Sequence, residues 1–191
     1  MEIVAFGLIV LLAGMLWCLA RVRAELRQTG QLRAATVTMV WLVYAFHLAV
    51  TVYAAWKGLW LLDVPQAVSN VAGASLLIVG AVFYLAGMVA FGSFKRMSGL
   101  DSSRLVTTGI YAWSRNPQNL GWTLFLLGVG VAAQSGVVLL LAGLFWLVFR
   151  SYLPLEEEVL RQRFGSEYEN YCEKVRRYFG RAEQKESGEA R

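Results

Sequence analysis

The protein has 191 residues, of which 57% are hydrophobic and 16% charged, with a mean hydropathy of +0.49. Soluble domains have roughly 45–50% apolar and about 25% charged residues, so this composition excludes an ordinary soluble domain and indicates an integral membrane protein. The net charge of +5 comes from basic residues that alternate with apolar spans, without forming one surface stripe, which argues against nucleic-acid binding.

Three apolar runs fill the N-terminal half. Residues 3–20 approach the ~20 residues that cross a bilayer, and we expect a retained helix because the run lacks a basic leader and a small-residue cleavage site. Residues 36–56 and 66–91 are the second and third predicted spans. In the third, Gly73, Gly80 and Gly87 recur at every seventh position, so small residues share a face that permits close helix packing.

The next feature is the segment from Gly109 to Gly121, where a cationic loop meets an uncharged run. Asn116 is a strong helix N-cap, and Pro117 fits the first helical position. A helix is therefore predicted to start here, with Arg115 beside its N-terminus as a forked donor for an anion. The simpler alternative is a well-capped helix with a snorkelling arginine.

Two short apolar helices follow, over residues 119–134 and 137–149. At 1.5 Å per residue each apolar part is ~20 Å long, which is less than the ~30 Å hydrocarbon core. Either this hairpin uses its polar ends to span, or its cytosolic opening sits below the membrane surface.

The cations predict the orientation. The loop after span one holds four Lys and Arg residues, the loop after span three holds four and the C-terminal region nine, whereas the opposite side keeps Lys57 alone. The positive-inside rule then gives five spans with an outer N-terminus and a cytosolic C-terminus, and we expect the plasma membrane of a prokaryote.

The C-terminal region, residues 150–181, is polar. Pro154 is predicted to open a helix whose first turn carries three consecutive glutamates, and Gly165 to end it. Ser166 then begins a last helix through a capping box with Glu169. Its apolar stripe is predicted to comprise Tyr168, Tyr171, Cys172, Val175, Tyr178 and Phe179. Residues 182–191 are predicted to be disordered.

Few residues suit metal or thiol chemistry. Cys18 and Cys172 lie far apart without a C-x-x-C spacing, so neither a disulfide framework nor a metal site is predicted. His47, the single histidine, lies near the middle of span two, where an ionisable residue points to function by default. A hydrogen bond to a neighbouring helix is the simpler explanation, which we favour.

Two ordered blocks flank the hairpin. The first is Gly-x-Tyr-x-x-x-Arg-Asn-Pro-x-x-x-Gly, and the second contains a glutamate run, Phe-Gly, two tyrosines and Val-x-Arg. Together they resemble the integral-membrane isoprenylcysteine carboxyl methyltransferase and phospholipid methyltransferase superfamily, over residues 105–180. The matching residues are Gly109, Tyr111, Arg115, Asn116, Pro117, Gly121, Glu157, Glu158, Phe164, Gly165, Tyr168, Tyr171, Val175 and Arg177.

The resemblance implies an all-α membrane enzyme, one methyltransferase-like domain over residues 1–181, that uses S-adenosylmethionine and no Rossmann domain. Arg115 and Arg177 would orient the reactants, because an arginine does not readily give up a proton. The implied cofactor residues are Tyr111, Arg115, Asn116, Pro117, Asn119, Gly121, Glu157, Glu158, Tyr168 and Tyr171. Three positions depart from the family: Asn116 stands where histidine also occurs, Asn119 where tyrosine is frequent, and Gly180 where proline follows the final arginine.

The resemblance leaves the methyl acceptor open. A membrane-associated lipidic substrate such as a prenylcysteine carboxylate is expected, with a phospholipid amine or a small thiol as alternatives. A reductase related to sterol reductases and a non-catalytic membrane scaffold are further alternatives, and binding of S-adenosylmethionine separates them. The partners implied are the lipid bilayer and a lipidic or lipidated acceptor, and the oligomeric state is not predicted.

Overall fold

The computed structural model describes residues 2–98, 100 and 103–180, and within them the fold is all-α. The predicted disordered tail, residues 182–191, lies outside these residues. The helices are α1 (Glu2–Thr29), α2 (Ala34–Trp56), α3 (Gln66–Phe91), α4 (Phe94–Met97), a 3-10 turn (Gly109–Ala112), α5 (Pro117–Ala132), α6 (Gly136–Phe164) and α7 (Ser166–Lys174).

Within the described residues, four helices are long and apolar enough to cross a membrane: α1, α2, α3 and α6. Their outer faces carry exposed apolar side chains such as Phe6, Leu42 and Val89, as a lipid-facing surface requires. Helix α5, the fifth predicted span, has 16 residues and is shorter than the ~20 residues of a typical span. The integral-membrane all-α class is confirmed, whereas the count of five spans stays a prediction.

The helix bundle has two distinct ends. At one end Arg163 of α6 donates from Nη2 to the Gly30 carbonyl at 2.8 Å, which joins the α1–α2 turn to the end of α6. At the other end the backbone N–H of Gly136 donates to the Trp60 carbonyl at 2.8 Å, where Lys57 also lies. Two of the predicted cation-rich segments, the α1–α2 turn and the end of α6, therefore meet at one end of the bundle.

Close packing of α3 on α5 confirms the predicted glycine face. A Cβ added at Gly80 would lie 2.5 Å from the Phe125 nitrogen and 2.7 Å from the Gly121 oxygen, and one at Gly73 would lie 2.7 Å from Ala132. Real Cβ atoms do not approach other atoms so closely, so the two backbones are in direct contact. The small residues serve packing within this chain.

Two predicted helix boundaries near the bundle are wrong. Helix α1 continues to Thr29, so Arg21, Arg23 and Arg27 lie on it and not in a polar loop. Helix α6 runs through Pro154 to Phe164, although Pro154 was predicted to open a separate helix. An interior proline costs about 3 kcal/mol, and burial of large apolar side chains on the same helix offsets this. Those side chains include Phe149, Leu153 and Leu155.

The predicted last helix is also shorter than expected. Helix α7 ends at Lys174, and Val175 is extended, so Tyr178 and Phe179 lie beyond it. Gly165, with a φ of 51°, precedes the helix, and Ser166 is its first residue, so the predicted capping box is not formed. The helix ends because the following segment makes hydrogen bonds with the loop before α5, as described below.

Substitution of Gly80 tests the α3–α5 contact. Gly80→Ala places a methyl group against the α5 backbone, and we expect the free energy of unfolding to fall by about 1–3 kcal/mol. Thermal unfolding of the detergent-purified protein measures the change. Gly143→Ala is the matched control, because a Cβ there meets nothing within 4 Å and alanine favours a helix. Equal losses in the two variants would contradict the close contact.

Candidate active site

The start of α5 is where the sequence predicts it, with Asn116 at the N-cap position and Pro117 first in the helix. The predicted side-chain cap is absent. Instead, Asn116 donates from Nδ2 to the Arg177 carbonyl at 3.1 Å, because its amide is used to hold the C-terminal segment. The backbone N–H of Asn116 donates to the Ser114 hydroxyl at 3.1 Å.

Residues 175–180, here called the C-terminal strap, lie along the loop that precedes α5. The Arg115 N–H donates to the Arg176 carbonyl at 3.2 Å, and the Gly180 N–H donates to the Trp113 carbonyl at 2.8 Å. These bonds bring together the two sequence blocks that are about sixty positions apart. The positions of Arg115 and Arg177 are thereby fixed by backbone bonds.

The carboxylate of Glu157 is the centre of an ion cluster. It is 3% exposed and accepts from Arg177 Nε at 2.9 Å and from Arg177 Nη2 at 2.7 Å. Arg115 Nη1 lies 3.0 Å from Oε1, and Arg161 Nη2 lies 3.7 Å from Oε2. The hydrogen bonds to Glu157 raise the pKa of Arg177 above its ordinary value. One buried carboxylate is therefore neutralised by guanidinium groups from three positions.

Arg115 faces both the cluster and α7. Its Nη1 atom also lies 2.8 Å from the Cys172 sulfur and 3.4 Å from the Tyr168 hydroxyl. Its Nε atom is buried and has no hydrogen-bond partner in the described part of the chain. One N–H donor of this buried guanidinium is thus unpaired within the described residues.

A cavity of about 410 Å³ opens beside this cluster. Its polar half is lined by side chains from the loop before α5, the start of α5, the end of α6 and α7. Its apolar half is lined by α1, α2 and the middle of α6. The polar lining includes Arg104, Tyr111, Arg115, Asn116, Asn119, Glu156, Glu157, Tyr168 and Tyr171, and the apolar lining includes Met15, Leu19, Val22, Val40, Trp41, Phe145 and Phe149.

Glu156 is the unpaired acid of the polar half. Its Oε2 atom is buried and has no hydrogen-bond partner among the described residues, in contrast to the fully paired Glu157. Burial, and then the charge of Glu156, raises the pKa of Tyr111, so this phenol stays protonated. A buried polar atom without a partner costs about 1–3 kcal/mol, more if charged. Glu156 and the Arg115 Nε atom together suit a ligand that carries both a cation and an anion.

The structure brings most of the predicted site residues to the cavity and leaves some aside. Those that line it are Tyr111, Arg115, Asn116, Asn119, Glu157, Tyr168 and Tyr171. Gly121 packs against Gly80 of α3, Pro117 is fully buried and does not line the cavity, and Glu158 is exposed with a hydrogen bond from Gln162 at 3.4 Å. Arg177 lies behind Glu157 and does not line the cavity.

Sequence reasoning placed one glutamate of the 156–158 run in the site without identifying which one, and it missed the aromatic wall. A readable signal exists on α6, where cavity residues recur at helical spacing. The series is Phe145, Phe149, Tyr152 and Glu156. A second series on α2 includes Val37, Val40, Trp41, Tyr44 and His47, and Tyr84 and Trp122 complete the wall.

The family comparison matches the same region. A model of the phospholipid methyltransferase family matches residues 68–167, slightly more than half of the chain. This range covers α3, α5, α6 and the glutamates of the site. No solved structure gives a significant match.

Curated relatives match a similar share. A rice (Oryza sativa) probable protein-S-isoprenylcysteine O-methyltransferase is 32% identical over 108 residues, 54% of this chain and 56% of the relative. The rat (Rattus norvegicus) protein-S-isoprenylcysteine O-methyltransferase is 33% identical over 113 residues, and the human (Homo sapiens) protein 32% over 111, each covering 56% of this chain and 39% of the relative. The aligned regions thus span between about two fifths and somewhat over half of the relatives' length.

Removal of the Glu157 charge tests the ion cluster. Glu157→Gln leaves the buried Arg115 guanidinium without its carboxylate, and we expect the free energy of unfolding to fall by roughly 3–5 kcal/mol. Glu158→Gln is the control at the adjacent, exposed position, with an expected change below about 0.5 kcal/mol. Denaturant unfolding in detergent micelles compares them, and similar losses would show that Glu157 is not the centre of the cluster.

Proposed function

The chain belongs to the phospholipid methyltransferase family, and we propose that it transfers a methyl group from S-adenosylmethionine to the polar head of a lipid-like acceptor. One observation carries this proposal: a single cavity joins an unpaired acid and an unpaired guanidinium nitrogen to an apolar half between membrane-spanning helices. The polar half suits the cofactor, and the apolar half suits the chain of the acceptor.

The unpartnered groups fit the cofactor. The methionyl end of S-adenosylmethionine carries an ammonium and a carboxylate, which complement the Glu156 Oε2 atom and the Arg115 Nε atom. Tyr84 and Trp122, whose rings are 5.3 Å apart, offer aromatic faces to the cationic sulfur or the planar base. When bound, this cofactor supplies an electrophilic methyl group on a positively charged sulfur.

The protein's own residues act through position and charge. We assign cofactor contact to Glu156, Arg115, Tyr111 and Asn119, all of which line the cavity. Arg177 is a positioning residue, since it contacts Glu157 and holds Arg115 through it. An acceptor that arrives ionised needs little acid–base help, and good alignment contributes on the order of 7–11 kcal/mol.

The acceptor we propose is a carboxylate at the end of an isoprenoid chain, such as a prenylcysteine. The curated relatives carry names of that activity. From Phe145 to Glu156 the cavity follows α6 over 11 residues, about 16 Å at 1.5 Å per residue, which suits an extended chain. A phospholipid amine is the second candidate, favoured by the description of the family model.

We also propose that the site faces the cytosol. The polar half of the cavity lies at the cation-rich end of the bundle. By the positive-inside rule, a cation-rich end is expected on the cytosolic side of the membrane. The N-terminus would then be outside and the C-terminus cytosolic.

Binding of S-adenosylmethionine is the first test. Calorimetry on the detergent-purified protein should show saturable binding, and Glu156→Gln should raise the Kd at least tenfold, because a charge-assisted hydrogen bond of about 1.5–3 kcal/mol is lost. Glu156→Gln is nearly isosteric and breaks no hydrogen bond of Oε2 in the described residues, so the fold should be retained. Glu158→Gln should bind as the wild type. Absence of binding by folded wild-type protein would overturn the methyltransferase proposal.

The bond formed by the methyl group distinguishes the acceptors. After incubation with lipid extracts and radiolabelled cofactor, methyl esters release volatile methanol in base, whereas N-methyl amines do not. We expect base-labile label in a prenylcysteine analogue. Base-stable label in the phospholipid fraction would contradict the carboxylate acceptor and support the amine acceptor.

A further inference from the structure

We infer that His47 of α2 and Phe145 of α6 form the floor of the apolar half of the cavity and thereby limit the length of the acceptor chain. This inference rests on the proposed function, because it assigns the apolar half to that chain. The two rings are stacked, with centroids 6.0 Å apart and an interplanar angle of 12°.

The lining residues of three helices stop at one level. The deepest are Met15 on α1, His47 on α2 and Phe145 on α6. His47 lies thirteen residues beyond the start of α2, about 20 Å along the helix, and Phe145 lies about 18 Å along α6 from Glu157. The two helices thus give nearly the same distance from the polar end of the cavity to its deepest lining residues, which is consistent with a common floor.

The bundle is filled one turn below this level. Leu11 on α1, Thr51 on α2 and Leu141 on α6 are each 1% exposed, and none of them lines the cavity. Ala142 and Leu126, both 0% exposed, complete the packing. A chain that reaches the His47–Phe145 pair cannot extend further without displacing these side chains, because protein interiors are close-packed.

The floor differs chemically from the walls. His47 is 1% exposed, and neither ring nitrogen has a hydrogen bond of normal geometry among the described residues, although the Leu141 carbonyl lies nearby. The walls above it are aliphatic or aromatic, for example Leu19, Val40 and Val43. The free energy gained when the hydrocarbon end of the acceptor contacts a polar imidazole is smaller than when it contacts an aliphatic side chain. The floor therefore limits chain length both by its position and by its polarity.

A chain-length series tests this inference. The acceptors are N-acetylcysteines that carry S-geranyl, S-farnesyl or S-geranylgeranyl groups, and kcat/KM is measured for each with wild-type protein and with His47→Ala. Shortening the floor side chain should raise the ratio of kcat/KM for the longest chain over the next shorter one by about tenfold, the discrimination typical of a small change in pocket size. The shift should be in KM more than in kcat, because His47 is far from the reacting atoms.

Three further variants separate the effect of side-chain size at the floor from the effect of its polarity and from nonspecific destabilisation of the fold. Met15→Ala enlarges the same floor and should shift the preference in the same direction, so the inference stays testable if His47→Ala does not fold. His47→Phe keeps a ring there but removes the polar nitrogens, so it should relax the length limit less than His47→Ala does. Thr51→Ala, one turn deeper and outside the lining, should leave the length profile unchanged.

The outcomes distinguish the floor from the proposed function. If the wild type methylates none of the three compounds, the carboxylate proposal fails, and the floor is then tested by the rise in Tm that the same compounds cause. An unchanged length profile in both His47→Ala and Met15→Ala, in catalysis or in binding, overturns the inference. A shift in those two variants that Thr51→Ala does not share supports it.

Discussion

The arrangement of the site depends on the buried carboxylate of Glu157. Arg115 comes from the loop before α5, Arg161 from α6 itself and Arg177 from the C-terminal strap, and all three guanidinium groups approach this one side chain. Burial of a single carboxylate would be very unfavourable, but charge-assisted hydrogen bonds from several donors compensate for it. The cluster therefore fixes the two sequence blocks against each other, with Glu156 beside it lining the cavity.

The start of α5 and the packing face of α3 were predicted correctly, because both depend on residues that are close together in the sequence. The Asn116-Pro117 sequence gives the first residue of α5 correctly, since cap and proline preferences depend on adjacent residues. The Gly73, Gly80 and Gly87 series gives the α3 packing face for the same reason. The use of the Asn116 side chain was not predictable in this way, because its partner, the Arg177 carbonyl, lies 61 positions away.

The continuation of α6 through Pro154 depends on long-range packing, which the local sequence does not show. Pro154 is a local signal for a helix boundary, yet α6 continues through it because the helix is held by buried contacts on both sides of the proline. The consequence for the site is direct. Only in a continuous helix does Glu156 share a face with Phe145 and Phe149, so the acid that faces the cavity could not be identified among the three glutamates.

The two neighbouring glutamates differ in what they can still bind. Glu157 has its charge distributed over three arginines and has little capacity for a further cation, whereas the Glu156 Oε2 atom is buried without a partner. Three arginines and two glutamates leave a net positive charge around the polar half of the cavity. This field stabilises an ionised carboxylate acceptor, but it would disfavour the approach of a protonated amine. An amine acceptor would have to lose its proton before reacting, and among the described acids that line the cavity Glu156 is the one without a hydrogen-bond partner. The choice of acceptor thus depends on whether Glu156 is occupied by the cofactor's ammonium group.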